Sequence, residues 1–389
     1  MPHPSRATKT AIPPLTIGVV IHDFNLGGSE RIAIRLANYW REQGHNIIIF
    51  CGQKNGQMLD LLSKDITVIP ASPLIIRGKN SVRALAQAAR KYFSSHQVDF
   101  CYIPGNYHWL VSHQLQKIAP TSRPIIVSQI SSLIYKPKRK PICQKIFNIR
   151  MKYLLKKSDI VVAMDPLTAK QSNSILKRDD TLTIPLPALP MRPSVPTITH
   201  AHTPYSVLAA GRLTEQKGFD TLINAFRLVV DTHPEAKLTI CGEGEDRPAL
   251  EAQIKSLHLE NNIHLQGYVA DITPYLRENS LFVLSSRREG YGAVLLEALD
   301  AGCRVVTTDC TPAIRDIFMN TPAGSVVPVD NVSALSTAII KELDTFSSER
   351  TSHSAQMDRY RINVGGDLYL DAVRSIQKSM HKGLSHGTP

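Results

Sequence analysis

The sequence predicts an α/β fold with two doubly wound, Rossmann-like domains that face a central cleft. At 389 residues the chain is too long for one ordinary core and is predicted to form two domains. Strand-like apolar runs alternate with helical patterns throughout, which is typical of parallel sheets covered by helices. Six prolines between residues 185 and 204 forbid a helix or a central strand there, so this stretch is predicted to be the linker between the domains.

The first domain is predicted to span residues 15–184, after a flexible N-terminal tail at 1–14. Its strands are Ile17–Ile21, Ile47–Phe50, Phe100–Ile103, Ile125–Val127 and Ile160–Ala163. The second domain is predicted to span residues 205–362. Its strands are Ser206–Ala210, Lys237–Cys241, Ile263–Gln266, Leu281–Leu284, Arg304–Thr307 and Ser325–Val327. A C-terminal helix at 363–380, which can cross back to the first domain, and a flexible tail at 381–389 complete the prediction.

Composition indicates a folded, cytoplasmic protein. Hydrophobic residues make up 43% of the chain, yet no run of eighteen apolar residues occurs, and the N-terminus lacks the apolar core of a secretory signal. The cysteines show no metal-binding spacing, so they are predicted to be buried free thiols. They are Cys51, Cys101, Cys143, Cys241, Cys303 and Cys310.

Positive charge is concentrated in the first half. Residues 1–200 contain 27 Lys and Arg against 10 Asp and Glu, whereas residues 201–389 contain 18 against 23. The segment Lys136–Lys157 has nine basic residues, no acidic one, and apolar residues at near-helical spacing. This pattern fits an interfacial helix on anionic lipid or a phosphate-rich partner. It equally fits a solvated helix whose apolar side packs on the domain, and the sequence leaves the choice open.

The segment Ser286–Leu299 is the most informative about function. Glu289 and Glu297 bracket a turn that contains Gly290 and Gly292 and leads into a helix beginning near Ala293. Glycines let backbone approach a ligand, and a helix N-terminus presents free N–H groups, so the turn suits an anion. Glu297 lies among apolar residues and should therefore meet a ligand hydroxyl or a basic partner, unless it is simply solvated.

Two further strand ends have features of phosphate sites. Gly27 and Gly28 follow the first strand and permit a close approach, although a plain turn is an alternative and the three-glycine dinucleotide spacing is absent. Gly211 begins a loop in which Arg212 and Lys217 could both neutralise phosphate. A pair of solvated loop cations is the alternative at that loop.

Together these segments resemble the retaining glycosyltransferases of family 4, which have the two-domain GT-B fold and use nucleotide-diphosphate sugars as donors. The likeness is strongest over residues 205–343, and the Gly27–Arg31 segment extends it into the first half. The motifs are Gly211–Leu213 with Lys217–Gly218, Cys241–Gly244, Gly267–Val269 and Ser286–Gly302. The resemblance implies a retaining, metal-independent hexosyltransferase with a UDP-sugar or GDP-sugar as co-substrate and no cofactor.

The resemblance also assigns roles to residues of this chain. Arg212 and Lys217 would bind the donor diphosphate, Glu289 would contact the transferred sugar, and Glu297 would hold the ribose hydroxyls. Glu289, Arg212 and Lys217 form the implied catalytic set. The implied donor-binding set is Gly27, Gly28, Gly211, Gly267, Tyr268, Val269, Gly290, Tyr291, Gly292, Ala293, Val294 and Glu297. No metal is then required, because the two cations and the helix N-terminus would stabilise the negative charge of the leaving diphosphate. The chain also offers no paired aspartates of the kind that metal-dependent sugar transferases use.

One departure from the family concerns the sugar side of the cleft. Members often have a histidine just after the strand at Ile125–Val127, where this chain has Ser128 and Gln129. Neither can act as an acid or a base near neutral pH. Gln129 and His108 are therefore the candidates for the acceptor or sugar side. A front-side attack assisted by the leaving phosphate is the expected course, and Glu289 as a covalent nucleophile is left open.

The implied function is sugar transfer to a lipid-linked glycan acceptor in cell-surface polysaccharide or lipopolysaccharide biosynthesis. The basic segment Lys136–Lys157 would hold the enzyme peripherally on the inner face of the cytoplasmic membrane. The alternatives are a nucleotide-sugar epimerase or phosphorylase on the same fold, and a non-catalytic sugar-nucleotide binding protein. A nucleic-acid partner, suggested by a pI near 9.4, is not expected because no binding module is present and aromatic residues make up only 6%.

Overall fold

The structure is a computed structural model that describes residues 13–25, 27–136, 139–191, 203–319, 323–345 and 354–385. It contains two parallel sheets, one in each half of the chain, with helices packed on their faces. The predicted fold class of two doubly wound α/β domains is confirmed.

The first domain has a seven-stranded sheet in the order β3-β2-β1-β4-β5-β6-β7. The strands are β1 Thr16–Ile21, β2 Asn46–Cys51, β3 Thr67–Pro70, β4 Phe100–Ile103, β5 Ile125–Ile130, β6 Ile160–Ala163 and β7 Leu182–Thr183. The helices are α1 Gly28–Glu42, α2 Ser81–Ser95, α3 Trp109–Leu115, α4 Pro141–Leu155 and α5 Pro166–Leu176. Every residue of β4, β5 and β6 is buried, because helices cover these parallel strands on both faces, and β5 includes two buried polar residues, Ser128 and Gln129.

The second domain has a six-stranded sheet in the order β10-β9-β8-β11-β12-β13. The strands are β8 Thr203–Ala210, β9 Lys237–Cys241, β10 Ile263–Gly267, β11 Asn279–Leu284, β12 Arg304–Thr308 and β13 Gly324–Val327. The helices of this domain are α6 Phe219–Thr232, α7 Arg247–Ser256, α8 Thr273–Glu278, α9 Ala293–Asp300, α10 Pro312–Met319, α11 Val332–Asp344 and α12 Ser354–Met357, and a final helix, α13 Ile362–Ser385, follows the domain. Asn331 caps α11 by accepting a hydrogen bond from the backbone of Ala334 at 2.9 Å.

Three details differ from the sequence prediction. The edge strands β3 and β7 were not predicted, since β3 is largely exposed and β7 has only two residues. Strand β8 begins at Thr203, inside the stretch predicted as linker. Pro204 is tolerated there because it lies at the strand start, beside an irregularity where Tyr205 has a φ of 53°. Cys143 is exposed, whereas the other five cysteines are buried as expected.

Helix α13 follows the second domain in the sequence but packs on α1 of the first. The hydroxyl of Tyr39 donates to Asp367 at 2.6 Å, and the indole of Trp40 donates to the carbonyl of Gly366 at 3.1 Å. A Cβ on Gly366 would lie 2.4 Å from the Tyr39 ring, so only glycine allows this approach. The two domains are therefore joined by packed helices as well as by the linker. The helix continues to Ser385, beyond the predicted end at 380.

None of the helices in the described ranges is both long enough and apolar enough to cross a membrane. The predicted tail at 1–14 falls mostly outside the described residues, as do residues 386–389.

Candidate functional site

A cleft of about 680 Å³ lies between the domains, at the carboxyl ends of both sheets. Its walls are loops that directly follow β1, β5, β8, β9, β10 and β11, together with one face of α1. Crevices of this kind are where doubly wound sheets bind ligands.

Most of the residues that the sequence singled out line this cleft. They are Gly27, Gly28, Gly211, Arg212, Lys217, Tyr268, Val269, Glu289, Gly290, Tyr291, Gly292, Ala293, Val294, Glu297 and Gln129. Gly267 and His108 are not among the lining residues. Gly267 ends β10 with a φ of 85°, and its carbonyl accepts a hydrogen bond from the backbone of Gly242 at 2.8 Å. It turns the chain so that the next residue, Tyr268, reaches the cleft.

Glu289 and Lys217 form an ion pair inside the cleft. The Lys217 ammonium donates to Glu289 Oε1 at 2.6 Å, and the hydroxyl of Ser286 donates to the same oxygen, also at 2.6 Å. Both side chains of the pair are largely buried. Lys217 and Glu289 were predicted from two different motifs of the sequence. The structure shows that they form a direct ion pair. One lysine can therefore contact a phosphate and orient the carboxylate beside it.

Arg212 supplies a second cation at the same wall. Its side chain is exposed, and no acidic side chain in the described parts of the chain pairs with it. An unpaired guanidinium in a cleft can bind an anion through parallel N–H donors.

Helix α9 begins at Ala293, as the sequence predicted, and its N-terminus opens into the cleft. Gly292 precedes it with a φ of 89°, a conformation that favours glycine. The first N–H groups of a helix lack partners within the helix and carry its positive dipole end. This wall therefore adds backbone donors to the two cations.

Glu297, which lies among apolar residues, is paired with a basic residue. Arg35 of α1 donates through Nη2 to Glu297 Oε1 at 3.1 Å, across the cleft from the other domain. Sequence reasoning missed Arg35, because it lies 262 residues away. The local sequence indicates only that Arg35 lies one helical turn after the Gly27–Arg31 motif, which does not identify its partner.

The two domains also touch directly beside the glycine turn at Gly290. A Cβ added to Gly290 would lie 2.5 Å from the carbonyl oxygen of Ser131. Ser131 is held by Asn106, which bonds its backbone N–H at 2.8 Å and its hydroxyl at 3.2 Å. Its hydroxyl also lies 3.3 Å from that of Ser29. Loops from β1, β4, β5 and β11 thus meet at one point.

Gln129 and His108 are both buried. The Gln129 side chain accepts from the Tyr102 hydroxyl at 3.0 Å and donates to the Tyr369 hydroxyl at 3.3 Å, so both of its ends are engaged. His108 Nδ1 lies 2.8 Å from the carbonyl of Pro104, while Nε2 meets no partner within the described residues. Burial lowers the pKa of His108, which favours a neutral ring. Their predicted roles on the sugar side stay predictions.

Helix α4, within the basic segment, exposes an apolar stripe. Ile142, Ile146, Ile149 and Tyr153 are each at least 60% exposed. Their spacing of four, three and four residues places them on one helix face. One apolar face of this helix is therefore turned outward, while a second apolar face packs on the domain through residues such as Phe147 and Met151. Residues 137 and 138 lie outside the described ranges.

Among the described residues, no group of three or more His, Cys, Asp or Glu side chains could hold a metal ion.

Two family models match the chain. Residues 26–185 match the model described as Glycosyltransferase Family 4, and residues 195–364 match Glycosyl transferases group 1. The boundary between the two matches falls within the proline-rich stretch.

The curated relatives are similar over part of their length. A poly(glycerol-phosphate) alpha-glucosyltransferase of Bacillus subtilis is 35% identical over 35% of this chain and 20% of its own. The N-acetylgalactosamine-N,N'-diacetylbacillosaminyl-diphospho-undecaprenol 4-alpha-N-acetylgalactosaminyltransferase of Campylobacter jejuni is 36% identical over 33% of this chain and 34% of its own. The first curated relatives are all matched over less than half of their own length.

Solved structures show the same fold. Anabaena HepE, in complex with UDP and glucose, superposes with a TM-score of 0.73 at 17% identity, over 93% of this chain and all of that one. Together with the two parallel sheets, this likeness shows the two-domain GT-B fold.

Proposed function

We propose that this chain, in which a Glycosyltransferase Family 4 domain is followed by a Glycosyl transferases group 1 domain in the GT-B fold, is a glycosyltransferase. It transfers a sugar from a nucleotide-diphosphate donor to a glycan acceptor, without a metal and with retention of the anomeric configuration. This proposal rests on one observation: Arg212, the Lys217–Glu289 ion pair and the N-terminus of α9 all line one cleft.

The electrostatics of that wall suit a departing nucleoside diphosphate. Breaking the anomeric bond transfers negative charge to the leaving phosphate. The ammonium of Lys217, the guanidinium of Arg212 and the amides at the start of α9 are the groups that stabilise such growing charge. Since they belong to the protein, the leaving group needs no divalent cation.

Glu289 is best placed to orient the transferred sugar. Its Oε1 already accepts from Lys217 and from Ser286, so the carboxylate is fixed and its charge is partly neutralised. These bonds weaken it as a nucleophile and favour a positioning role. The acceptor proton then passes to the leaving phosphate oxygen on the same face of the sugar, which gives retention.

The exposed stripe of α4 supports an acceptor at a membrane surface. Four exposed apolar side chains flanked by Lys145, Arg150 and Lys152 form the pattern of a helix that lies in a lipid interface. The Campylobacter relative is named for a diphospho-undecaprenol acceptor. We therefore propose a lipid-linked glycan acceptor and peripheral attachment to the inner face of the cytoplasmic membrane.

Vesicle co-sedimentation tests the attachment. Wild type should sediment with anionic vesicles at low salt and be released at high salt, because the Debye length shortens from about 30 Å at 0.01 M to about 3 Å at 1 M. Ile146→Ser combined with Ile149→Ser should weaken sedimentation. Leu228→Ser, at an exposed apolar position in the second domain, is the matched control. If the double variant sediments like wild type, the exposed apolar residues of α4 do not attach the protein to the membrane.

The reaction itself is tested by measuring free nucleoside diphosphate released from a panel of UDP-sugars and GDP-sugars, with and without a lipid-linked acceptor. A transferase releases the nucleoside diphosphate in an acceptor-dependent way. An epimerase changes the sugar without release, a phosphorylase requires inorganic phosphate, and a non-catalytic binding protein releases nothing. Any of these three results would overturn the proposal.

A further inference from the structure

Arg35 connects three parts of the molecule at the floor of the cleft. It lies on α1, two turns after Gly28, and its Nη1 donates to the carbonyl of Ala188 in the linker. Its Nη2 donates to Glu297 Oε1 on α9 at 3.1 Å. The guanidinium of Arg35 thus links helix α1 of the first domain both to the linker and to α9 of the second domain.

The surroundings of Glu297 explain why it needs this partner. Its sequence neighbours Leu296 and Ala298 are fully buried, and the Glu297 side chain itself is only 18% exposed. An ionised carboxylate in an apolar setting is costly unless it is paired. Arg35 pairs it through one oxygen, and within the described ranges Oε2 accepts no other bond. Both residues line the cleft, so this second oxygen is available to a ligand.

From this geometry we propose that Arg35 is a positioning residue for the donor, which fixes Glu297 so that its second oxygen meets the ribose hydroxyls. The inference rests on the proposed function, because it needs a nucleoside diphosphate in the cleft. A carboxylate held by one bond presents its other oxygen in a set direction, whereas an unpaired one rotates among several. Arg35 therefore controls recognition of the ribose without touching the phosphates.

The pair also bridges the two domains across the cleft. Helix α1 carries Gly28 at its start and Arg35 two turns later, so a single rigid helix relates the glycine turn to α9. At the other end of the cleft the contact between Gly290 and Ser131 performs the same task.

The test measures how much more tightly the protein binds a nucleotide with a ribose than one with a 2′,3′-dideoxyribose. Calorimetry would compare UDP and GDP with their 2′,3′-dideoxy counterparts, and inorganic pyrophosphate would report the phosphate site alone. Wild type should prefer the ribonucleotide by about tenfold or more, as expected for hydrogen bonds to a charged group. Arg35→Ala should reduce this preference to less than about threefold, while pyrophosphate affinity stays within about twofold.

Matched variants separate positioning from folding. Arg35→Met keeps the apolar stem and removes the charge, so it should show the same loss even where the alanine variant is unstable. Arg41→Ala removes an arginine of the same helix whose side chain, within the described ranges, bonds the backbone carbonyl of His45, and this variant should behave like wild type. In a double-mutant cycle, adding Arg35→Met to Glu297→Gln should change the preference by less than about twofold, because the partner is already lost.

The outcomes are distinct. A wild-type preference retained by both Arg35 variants, or losses that simply add in the cycle, would overturn the role of Arg35. A wild-type protein that binds no nucleoside diphosphate would overturn the proposed function and this inference together.

Discussion

Gly290→Ala should slow sugar transfer by about a hundredfold while leaving the protein folded. The added Cβ would lie 2.5 Å from the Ser131 carbonyl oxygen, and ordinary contact begins at 3.4 Å. The two loops must therefore separate by about 0.9 Å to restore ordinary contact. Ser131 cannot yield easily, because Asn106 holds both its backbone and its hydroxyl. The shift falls on the loop that carries Glu289, and a misplacement of about 1 Å near the reacting atoms costs about a hundredfold in rate.

The assay is acceptor-dependent release of nucleoside diphosphate, run beside calorimetry and thermal unfolding. Nucleoside diphosphate affinity should change by less than about tenfold, because Arg212, Lys217 and α9 move together with the second domain. Gly78→Ala is the matched control, since nothing lies within 4 Å of a Cβ added there. Turnover by Gly290→Ala within about threefold of wild type, at an unchanged melting temperature, would refute the reasoning that the two loops must stay in contact.

Five other variants test separate parts of the site. Arg212→Ala and Lys217→Ala should each weaken nucleoside diphosphate binding and cut turnover by about a hundredfold, and wild-type affinity in either would remove that residue from the phosphate site. Glu289→Gln should bind the nucleotide normally but lose transfer, so normal product formation would exclude Glu289 from the mechanism. Glu297→Ala should raise the donor KM, and an effect on kcat alone would contradict a ribose contact. A Cβ added to Gly28 would meet no described residue outside its own turn within 4 Å, so the melting temperature of Gly28→Ala should stay constant while donor affinity falls. Unchanged donor affinity would indicate that the phosphates bind elsewhere.

The fold could be predicted from sequence because buried parallel strands leave a simple pattern. Strands such as β4 and β6 are apolar at every position and are bounded by polar segments, so they stand out. The edge strands β3 and β7 leave no such pattern, since half or more of their residues face solvent or the strand is only two residues long. The start of β8 was hidden by Pro204, which is excluded from the middle of a strand but not from its beginning.

The site was predictable in its local parts but not in its pairings. Glycine turns and a helix start are short-range patterns, and so the start of α9 at Ala293 was predicted correctly. The pairs of Lys217 with Glu289 and of Arg35 with Glu297 join residues 72 and 262 positions apart. A single sequence shows that a buried carboxylate needs a partner, but only the packing of two domains determines which residue provides it.

A crystal structure with a bound nucleoside diphosphate would show whether the cleft binds a nucleotide-diphosphate sugar. The diphosphate should lie against Arg212, Lys217 and the N-terminus of α9, with the ribose hydroxyls on Glu297 and the base along the loop at Tyr268. A nucleotide ordered in another place, or oriented with its base toward Glu289, would contradict the account.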